Sequence, residues 1–62
     1  MKLKNYLDKK GLNNREFGEM IGKSASAVSY LKHGNRKPSA DVAKLIVEAT
    51  KGEVTYADLF ED

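Results

Sequence analysis

Two predicted helices and the short turn between them occupy residues 13–34, which read NNREFGEMIGKSASAVSYLKHG. Asn13 followed three residues later by Glu16 is typical of a capping box, in which each side chain bonds the other residue's backbone amide at a helix start. The helix that begins there is expected to end near Ile21, because Gly22 readily adopts the left-handed conformation that closes helices. The stretch therefore predicts a first amphipathic helix of about two turns.

The turn that follows, residues 22–24, is short and contains glycine. Ser24 then predicts the cap of a second helix, Ala25–His33, which Gly34 ends. Two helices joined in this way and crossing at roughly 90–120° form the helix-turn-helix unit. Gly18, midway along the first of the two, predicts a close approach of the second helix. Alanine would otherwise be preferred there by about 1 kcal/mol of helix propensity.

Similar start and end signals predict three further helices, and no segment shows the alternation of a strand. One runs from about Lys2 to Lys10, one begins after Ser39 and ends at Gly52, and one follows a second capping box of Thr55 and Asp58 and runs from Tyr56 to about Glu61. Apolar residues at helical spacing predict the core as Phe17, Ile21, Val28, Leu31, Val42, Leu45 and Ile46. The sequence thus predicts an all-α fold of five short helices in a single domain, residues 1–62.

Composition excludes several classes of function. The chain has 62 residues, one histidine and no cysteine, so a disulfide or a thiolate zinc site is excluded. The sequence contains neither a nucleophile–base–acid set nor a Gly-rich phosphate loop, so nothing in it indicates an enzyme. No metal, cofactor or small-molecule ligand is expected. No apolar run approaches the roughly 20 residues that cross a bilayer, and the N-terminus is too polar for a signal peptide. We therefore expect a cytoplasmic protein with no membrane partner.

The net charge of +2 is distributed unevenly along the chain. Residues 1–40 contain nine lysines and arginines and three acids, whereas residues 41–62 contain two lysines and six acids. No acid lies between Glu19 and Asp41. Phosphates attract lysine and arginine and repel carboxylates, so a polyanion would favour this stretch. A solvated charged surface is the alternative interpretation of charge alone.

Two segments together resemble the Cro/C1-type (Xre-like) helix-turn-helix family. They are residues 12–24, LNNREFGEMIGKS, and residues 27–39, AVSYLKHGNRKPS. Residues 48–59, EATKGEVTYADL, look like the close of short phage-type members. The resemblance covers about residues 3–60. It implies a lambda-repressor-like DNA-binding domain whose helix-turn-helix core is residues 14–33, in a short phage or prophage Cro-like repressor.

Two residues depart from the family pattern. Asn14 stands where the family often has a glutamine that contacts the DNA backbone or a base, and the shorter side chain is expected to reach phosphate only. Lys23 stands where the family often has a valine or isoleucine packed into the turn. Its stem is expected to pack while its ammonium reaches outward.

The helix-turn-helix mode of binding assigns candidate DNA contacts, because the N-terminal part of the second helix enters the major groove. Residues expected at base edges are Ala25, Ser26, Ser29 and Tyr30, since serine bonds several bases and a methyl group can touch thymine. Residues expected at backbone phosphates are Asn14, Arg15, Lys23, His33, Asn35, Arg36 and Lys37. Ordinary exposed surface is the alternative for each of them.

Sequence-specific binding to double-stranded DNA by a homodimer, on a near-palindromic operator, is the expected function. The expected dimer contacts lie in the C-terminal part, with core packing as the alternative for some of them: Ala43, Val47, Thr50, Leu59 and Phe60. The rival hypothesis is a DNA-binding antitoxin or a protein–protein interaction module of the same fold. Antitoxins usually add a tail that wraps the toxin, whereas only Glu61 and Asp62 follow the last predicted helix.

Overall fold

The computed structural model describes residues 1–34 and 37–60. Within these ranges the chain forms five helices and no strand, which confirms the predicted all-helical architecture. The helices are α1 (Leu3–Lys10), α2 (Asn14–Ile21), α3 (Ala25–His33), α4 (Ala40–Ala49) and α5 (Tyr56–Phe60). The expected end of the last helix at Glu61 lies outside the described residues. No helix in the described ranges combines the length and the apolar character that crossing a membrane requires.

Side-chain caps begin the helices where the sequence predicts them. The Asn13 side chain accepts a hydrogen bond from the backbone N–H of Glu16 at 2.7 Å, and the Glu16 carboxylate accepts one from the N–H of Asn13 at 3.0 Å. The hydroxyls of Ser24 and Ser39 likewise accept from the backbone amide three residues later, at the starts of α3 and α4. Lys2 precedes α1 with extended backbone and no side-chain cap, so α1 begins one residue later than predicted.

Phe17 lies fully buried at the centre of the core. The rings of Phe17 and Tyr6 pack in an edge-to-face arrangement, with centroids 6.1 Å apart and an interplanar angle of 65°. The other buried apolar residues packed into this cluster are Leu3, Leu7, Ile21, Val28, Ile46 and Val54. Burying one such large side chain contributes about 1.5–3 kcal/mol to the free energy of unfolding. The core therefore joins α1, α2, α3 and α4 to the segment before α5.

The core face of α4 differs from the prediction. Leu45 was expected inside but is 42% exposed, whereas Ala43 and Thr50, expected at a dimer surface, are buried. Successive residues of a helix differ by about 100°, so Leu45 lies a quarter-turn or more away from Ile46, which points into the core. Leu31 and Val42, also predicted core residues, are only partly buried and pack against the cluster from its side.

The end of α4 also differs from the prediction, which placed it at Gly52. The helix ends at Ala49, and the buried Thr50 hydroxyl donates a hydrogen bond to the carbonyl of Ile46 at 2.8 Å. The same oxygen accepts from the backbone N–H of Val54 at 3.2 Å. One hydroxyl thus closes the helix and fixes the segment that returns toward α5, with Gly52 left-handed within the turn.

Gly18 confirms the prediction of a close approach and identifies the group that makes it. An ideal Cβ at Gly18 would lie 2.5 Å from the carbonyl oxygen of Lys23. The prediction was that α3 itself approaches Gly18. The approaching atoms instead belong to the backbone of the turn, at the cap of α3. The absence of a side chain at Gly18 therefore lets the turn lie directly against α2.

Candidate nucleic-acid interface

One side of α3 is exposed and carries small or polar side chains. Ala25, Ser26, Tyr30 and His33 are exposed, and Ser29 is partly buried. At about 100° per residue, these five residues fall within an arc of about 140°. All four predicted base-contact residues therefore share one face of the second helix of the helix-turn-helix unit.

This face is held in place from behind. Val28 is fully buried in the core on the opposite side of α3. The Ser24 hydroxyl accepts from the backbone N–H of Ala27 at 3.1 Å and fixes the start of the helix. Because the turn also lies directly against Gly18, α3 has little freedom to rotate about its own axis. The geometry presents a rigid ridge that could enter a groove of DNA.

The N-terminus of α2 lies beside α3 and offers donors to an anion. Its capping box occupies the backbone amides of Asn13 and Glu16. The first four backbone amides of a helix have no acceptor within the helix. The capping box supplies acceptors for two of them, so the amides of Asn14 and Arg15 remain available to an anion. The positive end of the helix dipole favours a negative charge at this position.

Lys32 adds a positive charge to the same place, which the sequence analysis missed. Its ammonium lies 3.5 Å from the side-chain oxygen of Asn14, linking α3 to the start of α2. Both side chains are partly buried. The sequence does contain a signal for Lys32: at about 100° per residue it lies at the edge of the exposed arc of α3, next to Ser29. This position could have identified Lys32 as a candidate phosphate contact.

Arg15 is engaged by an acid of its own helix. Its Nε lies 3.4 Å from a carboxylate oxygen of Glu19, and the two side chains are 84% and 71% exposed. Such exposed pairs one helical turn apart contribute only about 0.3–0.5 kcal/mol. A phosphate could therefore displace Glu19, but this acid makes Arg15 the least favourable of the predicted phosphate contacts on α2.

The remaining predicted phosphate contacts surround the ends of α3. Lys23 is exposed in the turn before it, and His33 is exposed in its last turn. Lys37 is exposed, and its ammonium donates to the backbone carbonyl of Phe60 at 2.6 Å, linking the segment before α4 to the end of α5. Asn35 and Arg36 lie outside the described residues.

Two acids that lie on other elements than α3 are held by cations. Glu53 accepts from Lys9 at 3.0 Å and pairs with Lys10 at 3.5 Å, and the hydrogen bond from Lys9 is the main cause that lowers the pKa of Glu53. Asp58 bonds the N-terminal ammonium at 2.7 Å. That bond, followed by one from the backbone of Thr55, lowers the pKa of Asp58 to about 2. Glu53 lies between α4 and α5, Asp58 lies on α5, and α3 contains no acid.

Comparison with known proteins identifies the same unit. The family model described as helix-turn-helix matches residues 3–56, which include α1 to α4 and all the candidate contact residues. No curated protein and no solved structure gives a significant match. Among the described residues, no group of three or more histidine, aspartate or glutamate side chains could hold a metal ion.

Proposed function

The chain belongs to the Cro/C1-type helix-turn-helix family of DNA-binding transcription regulators, and we propose that it is a sequence-specific repressor. In this proposal a homodimer binds a near-palindromic operator in double-stranded DNA. Repression follows because the bound protein occludes polymerase from the same stretch of duplex.

The observation that carries this proposal is the exposed face of α3. Ala25 and Ser26 lie at its N-terminal end, where a recognition helix meets base edges in the major groove. The serine hydroxyl can donate to or accept from several bases, and the alanine methyl can contact a thymine methyl. Tyr30, one turn further on, is 49% exposed and can reach either a base or the adjoining phosphate. Small side chains let the backbone of α3 come close to the groove.

Phosphate contacts around this face would set the register of the helix on the duplex. Asn14 and Lys32 lie on one side of α3, and Lys23 precedes it in the turn. Contacts of this kind carry affinity and salt dependence without sequence information, because every base pair has the same phosphates. Specificity in the proposal therefore rests on α3 and affinity on its neighbours.

A homodimer supplies the second half of the binding surface. One recognition helix offers few base contacts, and a pair on half-sites about 34 Å apart roughly doubles them. Of the predicted dimer contacts, Ala43 and Thr50 are buried and Val47 and Leu59 are partly buried, so the proposal takes the exposed apolar side chains of the same C-terminal part, the predicted Phe60 among them. These are Leu45 on α4 and Tyr56 and Phe60 on α5, which are 42%, 48% and 39% exposed.

The test is selection of bound sequences from a pool of random duplexes, repeated at two salt concentrations. The proposal expects enrichment of one near-palindromic sequence, with affinity that falls steeply as salt rises. Binding that is equal for all duplexes would reject sequence-specific recognition. Stoichiometric capture of a protein partner, with no duplex enriched, would favour the antitoxin-like alternative.

A further inference from the structure

A groove with a volume of about 460 Å³ lies between the first turn of α1, the last turn of α3 and α5. Its polar lining includes Lys2, Lys4, Asn5, Lys32, His33 and Lys37, and we name it the α1–α3 groove. We propose that the α1–α3 groove binds a phosphodiester of the operator outside the base pairs that α3 contacts. The proposal rests on the proposed function and adds α1 to the DNA-binding surface.

The charge of the α1–α3 groove favours an anion. Four lysines line it, against a single acid among its described lining residues, Asp58. The Asp58 carboxylate already accepts from the N-terminal ammonium at 2.7 Å and from the backbone N–H of Thr55 at 3.0 Å. These donors engage the Asp58 carboxylate, the one acid among the described lining residues, and neither donor is Lys4 or Lys32.

The hydrogen bonds of the lysines show how the cations are arranged. Lys2 donates to the carbonyl of Asp58 at 3.4 Å and Lys37 to the carbonyl of Phe60 at 2.6 Å. These two hydrogen bonds hold the ammonium groups of Lys2 and Lys37 beside α5. No described residue bonds the ammonium of Lys4, which is exposed in the first turn of α1. Lys4 is therefore the side chain best placed to reach an incoming phosphate.

The α1–α3 groove is continuous with the recognition face. His33 lines the groove and also ends the exposed arc of α3 that contains Ser26 and Tyr30. Ser26 and His33 are two turns apart, about 10.5 Å along the helix. Each strand of a duplex carries a phosphate about every 3.4 Å along its axis. A strand that passes the end of α3 can therefore present a phosphate to the groove while Ser26 meets bases.

The test compares Lys4→Gln with the matched control Lys44→Gln, which removes the same charge from the exposed side of α4 outside the groove. The duplex is the sequence selected as above, with several added base pairs on each side. Loss of one phosphate contact lowers the salt dependence by about one counterion, which at 0.2 M salt weakens binding about fourfold. We expect this effect for Lys4→Gln and none for Lys44→Gln. Equal effects of the two variants would overturn the proposal.

A second arm locates the phosphate in the duplex. Single phosphates are replaced one at a time by uncharged methylphosphonates, and binding of the wild type and of Lys4→Gln is compared. The proposal expects one flanking position at which the replacement weakens the wild type and leaves the variant unchanged. Additive losses at every position would overturn it.

Inorganic phosphate serves as the probe for a free-ion site. One outcome is that inorganic phosphate shifts the amide resonances of residues 4, 5 and 33 in the isolated protein while wild type and Lys4→Gln bind DNA equally well. In that case the groove binds a free anion, and its assignment to a phosphate of DNA is wrong. The proposed function fails separately, when the wild type itself selects no duplex.

Discussion

The backbone carbonyl of Lys23 lies where a side chain at residue 18 would begin, 2.5 Å from the ideal Cβ position. Backbone atoms of a tight turn cannot move aside as the end of a flexible side chain can. At the residue scale, Gly18 therefore sets how closely α2 and the turn approach. Thr50 also fixes two segments against each other, at the C-terminal end of α4. Its hydroxyl donates a hydrogen bond to the carbonyl of Ile46 and accepts one from the backbone N–H of Val54.

Replacing Gly18 with alanine is expected to destabilise the protein even though alanine favours a helix by about 1 kcal/mol. Crowding a packed site costs about 1–3 kcal/mol, so a net loss in the free energy of unfolding is expected from urea denaturation. Gly11→Ala is the comparison for backbone strain without crowding: Gly11 has φ of 68° and nothing within 4 Å of its Cβ position, so alanine there costs about 1–2 kcal/mol through its left-handed backbone alone. A more stable Gly18→Ala protein would contradict the close approach.

Replacing Thr50 with valine keeps the shape and removes the hydroxyl. The buried N–H of Val54 then loses its acceptor, which costs about 1–3 kcal/mol. Thr50→Ser keeps the hydroxyl and loses a methyl group, so it should retain much more of the stability than Thr50→Val. Thermal unfolding of the three proteins makes the comparison. If valine were tolerated better than serine, packing and not hydrogen bonding would be the role of Thr50.

At the scale of the elements, α3 and the turn before it separate specificity from affinity. Ser26→Ala removes a hydroxyl from the exposed face, so the enriched base should change at one position of the selected sequence. Lys23→Gln should weaken binding to all duplexes alike and lower the salt dependence by about one counterion. Selection experiments with both variants measure these effects, and Lys44→Gln serves as the charge control. Altered base preference in Lys23→Gln would show that Lys23 reads bases.

The attachment of α5 depends on an ionised Asp58, whose pKa is lowered from 3.8 to about 2 by the N-terminal ammonium and by Thr55. A lowered pKa in the folded state favours folding above pH 3.8, and this contribution is lost as pH falls through about 2. Asp58→Asn should therefore lower the thermal midpoint at neutral pH and flatten its decline within that acid window. Asp8→Asn, on the exposed side of α1, is the control. An unchanged acid profile in Asp58→Asn would contradict the role of this bond.

At the scale of the whole molecule, α3 carries no acid, and two acids of the C-terminal part pair with cations near the N-terminus. The lysines that are candidates for phosphate lie in the turn before α3, at the edge of the α3 face and in the α1–α3 groove. The described acids of the C-terminal part include Glu53 and Asp58, which are paired with cations of the N-terminal segment. Ion pairs thus fasten the two ends of the chain together without placing a carboxylate on α3.

The proposed dimer is tested with Leu45→Glu, which adds a charge where the side chain is 42% exposed and so should leave the monomer folded. The change is expected to abolish cooperative binding to the two half-sites and to leave single half-site binding intact. Met20→Glu is the control, because Met20 is 48% exposed on α2. Sedimentation equilibrium with the selected duplex measures the stoichiometry. A dimer that survives Leu45→Glu on DNA would place the contact elsewhere.

The sequence alone determined the helices, because their signals are local. A capping box, a serine cap or a closing glycine acts within a few residues, so the starts of α2 to α5 and the register of α3 follow from Asn13, Ser24, Ser39 and Thr55. The family pattern likewise lies within one continuous stretch. The exposed face of α3 was predicted for the same reason.

Only the tertiary structure decided what depends on residues distant in sequence. Periodicity predicted an apolar stripe on α4 but not which edge of the stripe the other helices would cover. The prediction therefore placed Leu45 in the core and Ala43 at the surface, whereas the structure buries Ala43 and exposes Leu45. The Thr50 hydroxyl, the contact between Lys32 and Asn14, and the α1–α3 groove all join separate segments. Such contacts form only when helix packing brings those segments together, and no local rule encodes that packing.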